Sequence, residues 1–137
     1  MNDLLSQLGF HPSVENWFIN RFGSPSPPQI LGWPKIADGQ HTLILAPTGS
    51  GKTLAAFLWC IDDLFRSGLN SDAKEFDRNS AGVHTLYISP LKALNNDIHY
   101  NLQEPLKGIR TQAQNMDISP PPIRTAVRTG DTPSHVR

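Results

Sequence analysis

The chain has 137 residues, a length that suits one domain with a single core of modest size. Its 12 basic and 12 acidic residues cancel, so net charge argues neither for nor against a nucleic-acid partner. A lone cysteine excludes an intramolecular disulfide, no apolar run reaches the length of a membrane span, and no basic-then-apolar leader opens the sequence; a cytoplasmic protein with no membrane partner is expected. The five histidines are scattered without metal-ligand spacing.

In chain order, Pro12 suits the first turn of a helix that carries Val14, Trp17, Phe18 and Phe22 and ends near Gly23. A second helix is predicted from Ser26 as cap and Pro27 at the first position to Gly39, with Ile30, Leu31, Trp33 and Ile36 on its apolar side. Pro34 inside it predicts a bend. Residues 41–46 read as a short strand. Residues 52–67 read as a helix with Leu54, Phe57, Leu58, Ile61, Leu64 and Phe65 at helical spacing, where Cys60 is a small core residue. Polar residues 70–82 lack periodicity and read as a loop, and 83–89 are apolar in the manner of a buried parallel strand. Leu91, Leu94, Ile98, Leu102 and Leu106 mark another helix, which Pro105 helps to end. Residues 115–122, with three consecutive prolines, are a linker; 123–127 are a candidate third strand, and 129–133 turn toward a helix start. This alternation predicts an α/β fold, a parallel sheet flanked by helices, as the front part of a larger domain.

Residues 46–53 read APTGSGKT directly after the apolar run Leu43-Ile44-Leu45. The strict phosphate-loop pattern has Gly where Ala46 stands, but the functional parts are present. Thr48, Gly49, Ser50 and Gly51 are small enough for backbone N–H groups to curl around phosphate oxygens, and the following helix adds its dipole. Lys52 is placed for β and γ phosphates, and Thr53 for magnesium through its hydroxyl; these two are the candidate catalytic residues, with a nucleoside triphosphate and Mg2+ as cofactors, the triphosphate being ATP by the resemblance described below.

Gln29 admits two readings. Three residues after Ser26 it closes a capping box, and its amide also matches adenine N6 and N7 as donor and acceptor. No acidic residue follows an apolar strand in the Asp-Glu arrangement that hydrolysis would use, and Asp62-Asp63 read as a solvated helix face. Binding without turnover is therefore expected of the isolated chain. From Lys107 onward, Arg110, Arg124, Arg128 and Arg137 outnumber Asp117 and Asp131, a stretch that is either solvated or aimed at phosphates.

Four stretches together resemble the first motor domain of superfamily 2 DEAD/DEAH-like helicases, and most closely the Lhr-type (large helicase-related) group. Residues 22–39 (FGSPSPPQILGWPKIADG) resemble the glutamine motif, and 42–58 (TLILAPTGSGKTLAAFL) resemble motif I, where Ala for the first glycine is normal. Residues 87–102 (YISPLKALNNDIHYNL) resemble motif Ia, and 127–132 (VRTGDT) the segment before motif Ib. The resemblance implies N-terminal helices with the glutamine motif at 1–40, then an incomplete RecA-like ATP-binding domain at 41–137 that stops before the DExH strand. It implies that Gln29 reads adenine, that Ser89, Pro90, Leu91 and Lys92 face a single strand of DNA or RNA, and that Arg128, Thr129 and Gly130 lie near the same backbone. From its position alone Lys92 could equally be a solvated lysine at a helix start. The implied parent is an ATP-dependent DNA or RNA helicase. Its missing remainder is the other partner, and the isolated piece holds nucleic acid weakly. Two alternatives stay open: another P-loop NTPase or kinase, and a non-catalytic nucleotide-binding fragment.

Overall fold

The computed structural model describes residues 4–70, 82–89 and 92–133, which contain five helices: α1 (Leu4–Gln7), α2 (Pro12–Phe22), α3 (Pro27–Ala37), α4 (Lys52–Asn70) and α5 (Lys92–Asn115). Most of the expected 70–82 loop, Pro90, Leu91 and Arg137 fall outside the described residues. The helix ends follow local chemistry. At α2, Pro12 occupies the first turn and the His11 ring accepts at Nδ1 from the Ser13 N–H at 3.2 Å. Gly23 closes the helix at φ 78°, its N–H donating to the Ile19 carbonyl at 2.9 Å. At α3, Ser26 precedes two prolines, and its N–H donates to Gln29 Oε1 at 2.9 Å, the capping-box contact.

The core gathers side chains from every helix. Trp33 of α3 is fully buried, with the rings of Phe10 and Phe18 edge-on at 5.3 and 5.4 Å. Its indole N–H donates to the Ala55 carbonyl at 2.9 Å, which fixes α3 against the first turns of α4. Leu58, Ile61 and Phe65 of α4 and Ile109 and Ala113 of α5 complete the same cluster with Leu5, Val14 and Trp17. Where α2 crosses α5 the helices touch closely: a Cβ on Gly108 would stand 2.2 Å from the Trp17 indole. Only glycine fits there.

Four expectations change. The helix predicted to end at Pro105 runs on to Asn115, with Pro105 inside it and buried. Loss of one backbone bond at a proline is offset by the apolar stripe Leu106, Ile109 and Ala113, which continues past it. Residues 115–122 are not a free linker. After Asp117, at φ 58°, the Ile118 N–H returns to the Ala113 carbonyl at 2.9 Å, and Ile118 and Ile123 pack on the core.

The third change concerns the fold class. Among the described residues no β-strand is formed, so the parallel sheet flanked by helices is not present. Residues 41–46, 83–89 and 123–127 carry neither helical nor ladder assignment. A strand exists only through pairing with a neighbour. The apolar runs that read as buried strands instead leave Leu43, Leu45, Val83, Leu86 and Ile88 facing solvent.

Asp62, read from sequence as a solvated acid, is buried. Its Oδ1 accepts from the His11 backbone N–H at 2.7 Å and its Oδ2 from Arg66 Nε at 2.7 Å. Burial pushes its carboxyl above the ordinary 3.8, while the His11 N–H and Arg66 pull it back. Burial also lowers the His11 imidazole below its ordinary 6.5. The signs oppose. As pH falls below 6.5 the unfolded chain takes up a proton that folded His11 resists, and stability drops. As pH falls through the raised value of Asp62 toward 3.8 the folded chain holds the extra proton, and stability rises. Asp62→Ala orphans the His11 N–H and is expected to cost about 1–3 kcal/mol at neutral pH in urea denaturation. Asp62→Asn keeps an acceptor, falls short of that loss, and abolishes the acid-side gain; equal losses in both variants would exclude the His11 bond as the cause.

Candidate nucleotide-binding loop

Residues 46–51 leave the apolar segment and turn sharply into the N-terminus of α4, which opens at Lys52. Gly49 and Gly51 hold φ of 77° and 87°, where a side chain is strained, so the turn depends on glycine at both places. The Ser50 N–H donates to the Pro47 carbonyl at 3.3 Å, and the Ala55 N–H to the Gly51 carbonyl at 2.9 Å as α4 begins. Thr48, Gly49 and Thr53 are exposed at the mouth of this turn.

Lys52 is folded back over the loop. Its Nζ donates to the carbonyls of Ala46 and, at 2.7 Å, Pro47. Ser50 Oγ is buried without a hydrogen-bond partner. A buried hydroxyl in that condition is destabilising unless a ligand or water meets it. The loop therefore presents a cation, an unsatisfied hydroxyl and helix-terminal N–H groups at one place, a combination suited to phosphate.

A second element straps the loop from behind. The Ser26 hydroxyl donates to the Ser50 carbonyl at 2.8 Å, and Gln29 Nε2 to the Gly51 carbonyl at 3.3 Å. Gln29 is 4% exposed, and both ends of its amide are engaged within the protein. A Cβ on Gly51 would lie 2.7 Å from Gln29 Nε2 and 2.9 Å from Ser26 Oγ. Sequence reasoning placed Ser26 only as a cap. Its contact with Ser50, 24 residues away, leaves no trace in local spacing.

The other candidate residues stand apart in kind. Ser89 has a buried hydroxyl with no hydrogen-bond partner, and Lys92 is the first residue of α5. Thr129 and Gly130 lie in a local turn, with the Thr129 N–H on Thr132 Oγ1 at 2.8 Å and the Asp131 N–H on Thr129 Oγ1 at 3.3 Å. Arg128, next to it in the chain, is exposed, and Lys107, Arg110 and Arg124 are exposed as well. Among the described residues no group of three or more His, Cys, Asp or Glu could hold a metal ion, and no helix is long and apolar enough to cross a membrane.

A glycine-shaped turn feeding a helix that opens on lysine defines a P-loop protein. Residues 26–131 match the DEAD/DEAH box helicase family. Similar relatives include Lhr helicase/uracil glycosylase of Escherichia coli, 43% identical over 93% of this chain and 8% of its own length. ATP-dependent helicase Lhr-Core protein 2 of Thermococcus barophilus is 48% identical over 89% of this chain and 13% of its own. Mycobacterium smegmatis helicase Lhr, solved bound to ssDNA and AMP-PNP, is 43% identical with a TM-score of 0.80 over 94% of this chain and 15% of that one. The chain belongs to the DEAD/DEAH box helicases, and within them to the Lhr-type group, as its four motif stretches imply. It spans only a small part of the length of these relatives.

Proposed function

We propose that this chain binds ATP with magnesium through residues 48–53, as the front part of an ATP-dependent helicase acting on DNA or RNA. The observation that carries the reading is the convergence of Lys52, the partnerless Ser50 hydroxyl and two glycines of positive φ at the start of α4. The relative solved with AMP-PNP and ssDNA supports the ligand classes.

Lys52 leaves the Ala46 and Pro47 carbonyls to meet the β and γ phosphates, and the N–H groups of 49–53 cradle their oxygens. Thr53, exposed in the first turn of α4, offers its hydroxyl to magnesium, which would neutralise charge between the phosphates when bound. Gln29 holds the Gly51 carbonyl with one N–H of its amide and keeps a second N–H for adenine, so base recognition and loop shape are linked through one amide. Ser89, Pro90, Leu91 and Lys92, with Arg128, Thr129 and Gly130, are the surfaces assigned to single-stranded nucleic acid, held weakly by this piece alone. The setting is cytoplasmic. The sequence nowhere places Glu after Asp, and this favours binding without turnover in the chain by itself.

Calorimetric titration of ATP and ADP with magnesium tests the reading. The wild-type chain is expected to bind, and Lys52→Ala to lose at least about tenfold in affinity, 1.4 kcal/mol. A chain that keeps its helical circular dichroism yet takes up no nucleotide, or binds equally well without Lys52, would overturn it.

A further inference from the structure

Away from the phosphate loop, a sulfur atom joins the start of α2 to the end of α5. Met116, the residue just past α5, is one of two methionines in the chain, the other being Met1. Its Sδ accepts from the Ser13 hydroxyl at 3.6 Å and from Asn16 Nδ2 at 3.8 Å. These donors are three residues apart on α2 and therefore share one side of it. The backbone fixes the sulfur in place as well. The Met116 N–H donates to the Ala113 carbonyl at 3.0 Å, and Asp117, at φ 58°, turns the chain so that the Ile118 N–H reaches the same carbonyl.

A thioether is a weak acceptor, and Ser13 is fully buried, so its hydroxyl is left short of a full hydrogen bond. An oxygen carried on the sulfur and set between the two donors would stand within ordinary hydrogen-bond range of both, about 2.7–3.0 Å. It would also lie at the first turn of α2, where the helix dipole favours negative charge. Met116 is 38% exposed, which lets a small oxidant reach the sulfur and gives the added atom room. Methionine oxidation disrupts a core when it forces a polar atom among apolar ones. Here the polar atom meets two waiting donors.

We propose that Met116 is a site of reversible oxidation by peroxides, and that its sulfoxide ties α2 to the end of α5 more tightly than the thioether does. The sulfur lone pair attacks one peroxide oxygen, and an S–O bond forms as the O–O bond breaks. The departing hydroxide takes the proton of the transferred oxygen and leaves as water. Sulfur is oxidised and the peroxide reduced. The Ser13 hydroxyl and the Asn16 amide then donate to the new oxygen. This site does not rest on the function proposed for the loop.

The test treats the full chain with hydrogen peroxide and weighs the tryptic peptide 111–124, in which Met116 is the sole methionine or cysteine, by mass spectrometry. One added oxygen is expected there. In urea denaturation the oxidised wild type is expected to show a folded-to-unfolded ratio about fivefold higher than the untreated chain, the effect of about one neutral hydrogen bond. Methionine sulfoxide reductase returns it to the starting value. The rise is lost in Ser13→Ala and reduced in Asn16→Ala, a change at an exposed position that leaves the core intact. Met116→Leu, treated alike, shows no change, which separates Met116 from Met1 and Cys60. A peptide that takes up no oxygen, an oxidised wild type no more stable than the untreated chain, or a rise that persists undiminished in Asn16→Ala or occurs in Met116→Leu would overturn the proposal.

Discussion

Trp33→Ala is expected to remove up to about 5 kcal/mol, a large share of the stability of the chain. A buried Trp truncated to Ala typically costs about 3–5 kcal/mol, and a domain of this size has a total stability on the order of 5–15 kcal/mol. Trp33 falls at the upper end of that range for three reasons. Its side chain is fully buried, so all of its apolar area returns to water. The rings of Phe10 and Phe18 meet it edge-on and would border a cavity that rigid helices cannot close. The indole N–H also supplies a buried bond from α3 to the Ala55 carbonyl at 2.9 Å. Trp33→Phe separates these contributions. It keeps most of the packing and loses the bond, so a loss of about 1 kcal/mol is expected. Urea denaturation followed by circular dichroism measures both. A Trp33→Ala chain as stable as Trp33→Phe would show that the α3–α4 contact does not organise the core.

Gly51→Ala is expected to abolish most nucleotide binding while leaving the helices in place. At φ 87° an alanine is strained by about 1–2 kcal/mol, and its methyl would stand 2.7 Å from Gln29 Nε2 and 2.9 Å from Ser26 Oγ. Either the strap or the loop must move. Movement of the loop displaces the N–H groups at the start of α4, and an affinity loss of more than about tenfold follows. The double variant Gly51→Ala, Gln29→Ala distinguishes the causes. If crowding by the amide dominates, removing Gln29 restores part of the binding; if backbone strain dominates, binding stays lost. Titration of ATP with magnesium reads both variants, and unchanged affinity in Gly51→Ala would remove Gly51 from the phosphate cradle.

Local signals in the sequence were accurate where the cause was itself local. Pro12 and Gly23 bound α2, Ser26 and Pro27 open α3, and Lys52 opens α4, because caps and proline or glycine backbone limits act within a few residues. The candidate loop was legible for the same reason, since Gly49, Gly51 and Lys52 are adjacent in the chain. Asp62 was misjudged because its partner, the His11 N–H, lies 51 residues away. Pro105 was read as a stop because proline weakens a helix locally, whereas the apolar stripe that carries α5 past it is stabilised by packing with α2 and α4.

The strands mark the boundary between the two kinds of information. Residues 41–46 and 83–89 have the apolar composition of buried strands, and sequence by itself determined that preference. Helices, caps and the phosphate loop were likewise determined there, because an α-helix satisfies its own backbone groups and a glycine turn needs no distant partner. Tertiary structure alone decided that Trp33 locks α3 to α4, that Gln29 and Ser26 strap the loop, and that the apolar runs remain without a ladder. Each of these depends on a second stretch of chain brought alongside, and a β-strand is the extreme case, since half of what defines it belongs to its neighbour.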